Sequence, residues 1–299
     1  MGKIYVPPIK CQGIKTKLVP LILANVSMDE TGVWHEPFLG SGVVGFNLQP
    51  KRARFSDINP HVINFYTALQ ASSITPGMVR AYLEQEGKKL ARYGETHYYA
   101  VRDRFNRLKA PLDFLFLSRS CFNGMIRFNK RGHFNVPFCK KPERFSPAYI
   151  TKIVNQVDYA WKLVRDNEWS FSCKPFEKAI PLAKNGDVIY CDPPYLGRHV
   201  DYYNSWSDTD EERLHAYLSR TPASFILSTW HSNKYRKNVA LEKFWADFEM
   251  VTKGHFYHVG ASENNRHAMT EALIMNFPPL CYRTKEKAKS ASLAFIFQA

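Results

Sequence analysis

Two consecutive segments near the start of the chain each combine a strand, a polar turn and a helix. The first is GVWHEPFLGSGVVGFNLQ (32–49), in which a glycine turn follows a short apolar run. The second is RARFSDINPHVINFYTALQ (52–70), with a strand around Ala53 to Ser56, then Asp57, and a helix from about Pro60. Repeated β-α units are typical of parallel sheets with helices on both faces. The sequence therefore predicts an α/β fold with a Rossmann-like doubly wound sheet.

Further strands are predicted in the second half of the chain, where apolar runs alternate with helical patterns. The strand-like runs are WSFSC (169–173), DVIYCD (187–192), SFILSTW (224–230) and ALIMNF (272–277). TDEERLHAYLSR (209–220) is predicted to be a helix, because acids stand near its start and Arg220 near its end. The sheet therefore comes from two parts of the chain, separated by sequence of a different kind.

The separating sequence carries most of the net charge. The 299 residues contain 41 Lys and Arg against 27 Asp and Glu, a net charge of +14. Residues 88–152 contain 15 Lys and Arg but only four acids, whereas the other 234 residues carry 26 against 23. Such a concentration favours a polyanion-binding region over a merely solvated surface. We predict a core domain of residues 1–74 and 153–282, an insertion of residues 75–152 with a hairpin turn at NKRGHF (129–134), and a tail of residues 283–299.

The glycine turn, together with the acid after the second strand, predicts a nucleoside-containing cofactor. Gly40 and Gly42 permit positive φ and allow a ligand close to the backbone, at the strand end where parallel sheets bind ligands. Asp57 and Asn59 follow the next strand, where an acid commonly accepts hydrogen bonds from ribose hydroxyls. Gly45 completes the spacing G-x-G-x-x-G, so at this point NAD remains a candidate ligand.

The run DVIYCDPPY (187–195) ends a predicted buried strand on an acid. Pro193 and Pro194 lack N–H groups and have a restricted φ, so the chain leaves the strand in a stiff conformation. The Asp192 carboxylate and the Pro193 carbonyl can then accept both hydrogens of one exocyclic amine, and Tyr195 offers a ring for stacking. An amine held in this way is a nucleophile for methyl transfer from a sulfonium. A purely structural strand end is the alternative interpretation of these residues.

Several motifs together resemble those of the Dam-type (alpha-class) DNA adenine N6-methyltransferases. They are DPPY, the upstream EPFLGSG, CFNGMIRFNKRGHFNVPF (121–138), which resembles the recognition hairpin of the family, and EALIMNF (271–277), which resembles a late strand. The resemblance implies a sheet of the class I methyltransferase type, S-adenosylmethionine as the cofactor and double-stranded DNA as the partner. It also implies that the insertion is a mainly helical and hairpin DNA target-recognition domain, and that the target adenine is flipped out of the duplex.

The resemblance implies three sets of site residues. The catalytic set is Asp192, Pro193, Pro194 and Tyr195. The cofactor-binding set is Lys10, Lys15, Glu36, Pro37, Phe38, Gly40, Ser41, Gly42, Asp57, Asn59, Phe176 and Asp192. The DNA-binding set is Arg119, Phe122, Asn123, Gly124, Arg127, Asn129, Lys130, Arg131, Asn135, Lys140 and Lys141. In this set Phe122 or Asn123 would fill the vacated base stack, Arg127 is the candidate for a bidentate guanine contact, and the lysines meet phosphates.

The cofactor region departs from the family pattern in two places. KCQGIK (10–15) has Cys11 where the family has Trp and Ile14 where it has Gly. KPFEKAI (174–180) has Pro175 where the family often has Asp. By resemblance, Phe176 helps to hold the adenine, and the aromatic segment DYYNSW (201–206) covers the active site.

We expect a sequence-specific adenine methyltransferase of a bacterial restriction-modification system, with a cognate restriction endonuclease that acts on the same site without direct contact. Cytosine N4 methylation stays open as an alternative, because that amine has the same geometry, and a non-catalytic DNA-binding protein is the alternative from another class.

The six cysteines are far apart and form no CxxC pair, which favours reduced thiols and no metal site. There is no membrane-length apolar run and no recognisable signal peptide, so we expect a cytoplasmic protein that is nucleoid-associated when bound to DNA.

Overall fold

A computed structural model describes residues 3–196, 206–256 and 268–280. Within these residues, seven strands form one sheet in the order β3-β2-β1-β4-β5-β7-β6. The strands are β1 Trp34–Glu36, β2 Arg52–Asp57, β3 Glu168–Cys173, β4 Val188–Cys191, β5 Ser224–Asn233, β6 Glu249–Phe256 and β7 Ala268–Met275. β7 is antiparallel to both of its neighbours, and the remaining pairs are parallel. The predicted α/β fold with a doubly wound sheet is confirmed.

Two strands differ from the sequence prediction. The sequence did not predict β6, because EMVTKGHF (249–256) has a lysine and a glycine in its interior and lacks a regular alternation of apolar residues. It pairs only with β7 among the described residues and forms one edge of the sheet. β5 continues past SFILSTW to Asn233, because it keeps pairing with β7 beyond the end of β4.

The helices are α1 Val19–Leu23, α2 Val43–Leu48, α3 Pro60–Gln70, α4 Pro76–Leu108, α5 Pro111–Ser120, α6 Pro147–Asp166, α7 Phe176–Ala179, α8 Asp208–Arg220 and α9 Val239–Phe244. Proline at the first position and a capping side chain begin three of them, with Asn59, Thr75 and Ser146 as the caps. α8, which was predicted from its charges, begins with a capping box between Ser207 and Asp210.

The insertion shares its apolar core with the sheet domain. His61 of α3 packs against Phe105 of α4 and Phe114 of α5, and Phe128 of the hairpin stacks on the same imidazole at 4.9 Å. One hydrophobic cluster runs from the central strands through these rings into the insertion. α6 continues unbroken through residue 152, so the predicted limit of the insertion falls inside a helix. The tail 283–299 lies outside the described residues.

Candidate active site

A cavity of about 250 Å³ lies at the carboxyl ends of β1, β2 and β4. The strand order reverses between β1 and β4, which is the point where doubly wound sheets bind ligands. The predicted residues that line it are Lys15, Glu36, Pro37, Phe38, Gly40, Ser41, Asp57, Asn59, Phe176, Asp192 and Pro194. The glycine turn and the acid-proline-proline motif, which are about 150 residues apart in the sequence, therefore meet in one cavity.

The Glu36 carboxylate is fixed at the end of β1. Its Oε2 accepts hydrogen bonds from Trp34 Nε1 at 2.9 Å and from the Gly45 N–H at 3.0 Å. A Cβ on Gly45 would lie 2.4 Å from the Phe55 ring and 2.7 Å from Glu36 Oε2, so only glycine fits there. Burial raises the pKa of Glu36 to about 8, although both hydrogen bonds act to lower it. An acid buried to this extent favours a ligand with a positive charge beside it.

The Asp57 carboxylate ties two turns of the cavity wall together. Its Oδ2 accepts a hydrogen bond from the Gly40 N–H, and its Oδ1 accepts one from the Asn59 N–H, each at 2.8 Å. Gly40 has a φ of 49°, in the left-handed region that favours glycine. Burial raises the pKa of Asp57, and the backbone N–H groups oppose that shift. Asp57 therefore shapes the backbone of the cavity as well as lining it.

Asp192 follows β4 and is held by two donors. Lys15 Nζ lies 2.9 Å from Asp192 Oδ1, and Ser228 Oγ donates to the same oxygen at 3.0 Å. Tyr190 Oη lies 3.0 Å from Ser228 Oγ, so a chain of polar contacts runs from Tyr190 through Ser228 to Asp192. Burial raises the pKa of Asp192, whereas Lys15 and Ser228 lower it. No motif marks Ser228 in the sequence; it meets Asp192 because β5 pairs with β4.

The Tyr195 ring packs beside this carboxylate. It is 9% exposed and clusters with Trp230 and Met269. The Tyr195 hydroxyl donates to Glu271 Oε1 at 3.4 Å, and Lys15 Nζ lies 4.8 Å from the centre of the ring. One face of Tyr195 therefore looks toward the lysine that pairs with Asp192.

The cavity lining does not include four predicted residues, which are Lys10, Gly42, Pro193 and Tyr195. Gly42 is the N-cap residue of α2, with a φ of 74°, and a Cβ on it would lie 2.7 Å from the Phe46 ring, so its role is to start the helix. Lys10 extends to the insertion instead, where a Cβ on Gly124 would lie 2.3 to 2.8 Å from its side-chain atoms. The Lys10 side chain packs on the hairpin, and its contact with the cofactor stays a prediction.

One wall of the cavity is aromatic. The Phe176 ring stacks with Phe38 at 5.5 Å and lies 5.8 Å from Trp206. Pro175 caps the short helix α7 and also lines the cavity, as does Cys11 at the other departure from the family pattern. Of the aromatic segment 201–206, residues 201–205 lie outside the described residues. The wall offers a flat apolar surface of the kind on which a purine stacks.

Three charged residues of the cavity were missed by the sequence analysis: Glu177, Asp210 and Arg213. Arg213 Nη1 lies 3.0 Å from Glu177 Oε1, and Arg213 Nη2 pairs with Asp210. Glu177 Oε2 is buried and has no hydrogen-bond partner among the described residues. Glu177 stands next to Phe176 in the sequence, which was a usable signal, whereas Asp210 and Arg213 belong to α8 and are brought in only by the fold.

The segment 121–138, which we call the recognition hairpin after the family motif that it resembles, turns at NKRGHF, as predicted. The Asn129 N–H donates to the His133 carbonyl at 2.9 Å, and Asn129 Oδ1 accepts hydrogen bonds from the backbone N–H groups of Arg131 and His133. Phe128 and Phe134 pair across the two arms. The Asn129 side chain is therefore engaged in shaping the turn.

Most of the remaining residues predicted to bind DNA are exposed or half-buried on the hairpin or just after it, whereas Gly124 is buried. Phe122 is 49% exposed, so it is not a buried anchor of the hairpin, and Asn123 is exposed with a φ of 53°. Arg127 is half-buried, and its Nε donates to Asn135 Oδ1 at 2.9 Å. The exposed cations are Lys130, Arg131, Lys140 and Lys141. Asn135 thus orients the guanidinium of Arg127 by a direct hydrogen bond.

Arg119 lies in the interior and not on this surface. It is 6% exposed, and its guanidinium donates to the carbonyls of Pro7 and Pro8 and to Gln156 Oε1. The expectation that Arg119 contacts DNA is therefore wrong, because a buried guanidinium with these partners is not available to phosphate. Arg119 instead ties the N-terminal segment to α6.

The described residues were also searched for a metal site, disulfides and membrane-spanning helices. No group of three His, Cys, Asp or Glu side chains within them could hold a metal ion. The five cysteines found there form no disulfide. No helix in this part of the chain is both long and apolar enough to cross a membrane.

Comparison with known proteins identifies the family. A family described as D12 class N6 adenine-specific DNA methyltransferase matches residues 12–259, which is most of the chain. The chain belongs to this family. The resemblance of its motifs to DNA adenine N6-methyltransferases is thereby confirmed, and the family is specific for adenine rather than cytosine.

Relatives of the D12 family differ in how much of their own length the chain spans. The type II methyltransferase M.FokI of Planomicrobium okeanokoites is 26% identical over 280 residues, which cover 90% of the chain and 42% of M.FokI. The DNA adenine methylase of Serratia marcescens is 30% identical over 189 residues, or 60% of the chain and 66% of the methylase. The type II methyltransferase M1.LlaDCHI of Lactococcus lactis subsp. cremoris is 23% identical over 285 residues, which cover 91% of the chain and 95% of M1.LlaDCHI. The chain spans less than two thirds of the length of the first two relatives.

Proposed function

We propose that this D12 family chain is a sequence-specific DNA methyltransferase that transfers a methyl group from S-adenosylmethionine to N6 of a flipped-out adenine. The observation that carries the proposal is the fixed carboxylate of Asp192 at the edge of the cavity. It is held by Lys15 and Ser228 and followed by two prolines and a tyrosine. This is the arrangement that an amine nucleophile requires beside a cofactor.

The residues of the cavity fit S-adenosylmethionine. The stacked pair Phe38 and Phe176 suits its adenine ring, and the buried, unpaired Glu177 Oε2 suits the amine of that ring. Asp57 suits the ribose hydroxyls, and the buried carboxylate of Glu36 suits the positively charged methionyl part. When bound, S-adenosylmethionine supplies an electrophilic methyl group on its sulfonium.

The chemistry of this chain is then the preparation of the acceptor amine. With adenine in place, Asp192 and the Pro193 carbonyl would accept the two hydrogens of N6, which draws the nitrogen lone pair out of conjugation with the ring and directs it at the methyl group. Formation of the bond between N6 and the methyl carbon would break the carbon–sulfur bond and leave a neutral thioether. N6 would then release one of its two hydrogens as a proton, to the Asp192 carboxylate or to water. Tyr195 restricts the plane of the flipped base. No covalent intermediate with the protein is needed, because alignment and electrostatics carry the step.

DNA recognition is assigned to the insertion. The exposed ring of Phe122 is available to fill the base stack that the adenine leaves, and Arg127, oriented by Asn135, is available to a guanine edge. Lys130, Arg131, Lys140 and Lys141 suit phosphates, which position the duplex without specifying sequence. We keep residues 75–152 as the recognition domain within a catalytic domain of 1–74 and 153–282.

The biological setting that we propose is restriction-modification in the bacterial cytoplasm. It is supported by relatives named type II methyltransferases. A cognate restriction endonuclease would cut the same sequence without contacting this protein.

The test is methyl transfer to DNA of mixed sequence from S-adenosylmethionine that carries a labelled methyl group. Label is expected on adenine N6, and sequencing of the methylated bases gives the target site. The variant Asp192→Ala is expected to lose transfer while its affinity for DNA stays close to that of the unaltered protein. Label on cytosine, or full activity of Asp192→Ala, would contradict the proposal.

A further inference from the structure

A short basic loop closes the far end of β5. Residues 233–237 read Asn-Lys-Tyr-Arg-Lys, so three cations stand together with no acid among them. Lys234, Tyr235, Arg236 and Lys237 are all exposed, Tyr235 by 69%. Asn233 shapes the turn, because its Oδ1 accepts hydrogen bonds from the N–H groups of Tyr235 and Arg236. We call residues 233–237 the β5 loop. It lies outside the basic insertion and has no part in the predicted DNA-binding set.

The β5 loop stands above the opening of the active site. β4 ends at Cys191, which pairs with Leu227, so Asp192 follows at the level of Ser228, as their hydrogen bond shows. β5 continues for five more residues to Asn233, supported by β7 on its other side. A bulge between Trp230 and Ser232 means that these five residues advance by four positions along β7. At about 3.3 Å per position, the strand extends roughly 13 Å beyond the level of Asp192. β5 therefore forms a wall beside the site, with the cations at its top.

The loop is physically connected to the catalytic motif. The Arg236 guanidinium lies 5.2 Å from the centre of the Trp230 ring. Trp230 in turn packs in one cluster with Tyr195. A single aromatic residue thus separates the catalytic tyrosine from the exposed cations.

The β5 loop and the recognition hairpin lie on opposite sides of the cavity. The hairpin rests on α3, which follows β2, through the contact of Phe128 with His61. β2 and β5 lie on opposite sides of the point between β1 and β4 where the strand order reverses. A duplex that delivers a base to Asp192 continues on both sides of that base, so one flank meets the hairpin and the other approaches the wall formed by β5.

We propose that the β5 loop binds the DNA phosphates that flank the target nucleotide on the side opposite the recognition hairpin. The inference rests on the proposed function, since it takes DNA as the substrate. Lysine is a compact point charge that suits phosphate, and the loop adds affinity without reading bases. Arg236 holds the loop on Trp230, while Lys234 and Lys237 supply the charges for DNA.

The experiment compares two double variants of the full chain. Lys234→Ala/Lys237→Ala removes both lysines of the loop. Lys51→Ala/Lys184→Ala removes two exposed lysines that precede β2 and β4, at the amino ends of these strands and so away from the cavity. DNA affinity is measured against salt concentration for a duplex, and thermal melting confirms that both variants are folded. Each lost phosphate contact lowers the slope of log affinity against log salt by about 0.9, so the loop variant is expected to lose about 1.8 and the control almost nothing.

A slope of the loop variant that equals that of the unaltered protein overturns the inference. An equal reduction in both variants also overturns it, because the effect would then come from net charge alone. The proposed function is judged separately, by label transfer to adenine with the unaltered protein. A chain that binds duplex through the loop but transfers no methyl group would contradict the function and leave the surface assignment in place.

Discussion

Replacement of Ser228 by alanine tests how the Asp192 carboxylate is kept ready to accept hydrogen bonds from an amine. The hydroxyl donates to Asp192 Oδ1 at 3.0 Å and lies 3.0 Å from Tyr190 Oη. Burial raises the pKa of Asp192 and the Ser228 hydrogen bond lowers it, so removal of the bond raises the pKa further. In the proposed mechanism Asp192 is the ionised acceptor, so activity is expected to fall as the pH falls through this pKa. The acid limb of the pH profile is therefore expected to move to higher pH in Ser228→Ala.

The size of the shift follows from the hydrogen bond. A hydrogen bond to a charged group contributes about 1.5–3 kcal/mol, and one pKa unit corresponds to about 1.4 kcal/mol. The acid limb should therefore move up by roughly 1–2 pH units. At pH values above the limb, where Asp192 is ionised in both proteins, the rate constants should be similar.

The assay is the single-turnover rate of methyl transfer to duplex DNA across the acidic and neutral range, which reports the chemical step without product release. Ser228→Thr keeps the hydroxyl and should restore the limb, whereas Tyr190→Phe keeps the bond between Ser228 and Asp192 and should leave the limb in place. Coincident acid limbs for Ser228→Ala and the unaltered protein would refute the assigned role of the hydroxyl. A lower melting temperature of Ser228→Ala without a moved limb would show that Ser228 acts only in packing.

Four further variants have definite expected outcomes. Arg127→Ala should relax sequence preference, with a loss of about 1–3 kcal/mol of discrimination per lost base contact, which mapping of the methylated bases measures. Lys140→Ala should instead weaken binding to all sequences equally, which a salt titration of the DNA affinity measures. Arg119→Ala should cost about 1–3 kcal/mol of unfolding free energy for each buried carbonyl that it leaves unpaired, with no change in the salt slope, as measured by urea denaturation. Gly45→Ala should weaken cofactor binding and lower the free energy of unfolding by about 1–3 kcal/mol, because the new Cβ would collide with Phe55 and the Glu36 carboxylate. Calorimetric titration with S-adenosylmethionine measures the affinity, and an unchanged affinity would contradict the prediction.

Local sequence was sufficient for the parts of this protein that depend on near neighbours. Alternation of apolar runs and helical spacing predicted the sheet apart from β6. The glycine turn, Asp57 and the DPPY motif predicted the polar residues that follow β1, β2 and β4 in the cavity lining. These features work because backbone geometry at a strand end is set within a few residues, by glycine at positive φ or by proline. The hairpin turn was predictable for the same reason, since Asn129 and Gly132 stand within one short turn.

Tertiary structure alone decided which side chains meet across the fold. Ser228 reaches Asp192, and Arg213 reaches Glu177, because strands and helices distant in sequence are brought together at one sheet edge. The tertiary structure also decided which basic side chains are buried. Arg119 and Arg127 look alike in the sequence, but Arg119 is buried against backbone carbonyls, whereas Arg127 lies on the hairpin beside Asn135. Sequence specifies that a residue carries charge, but the energy of that charge depends on the solvent and partners that the completed fold leaves around it.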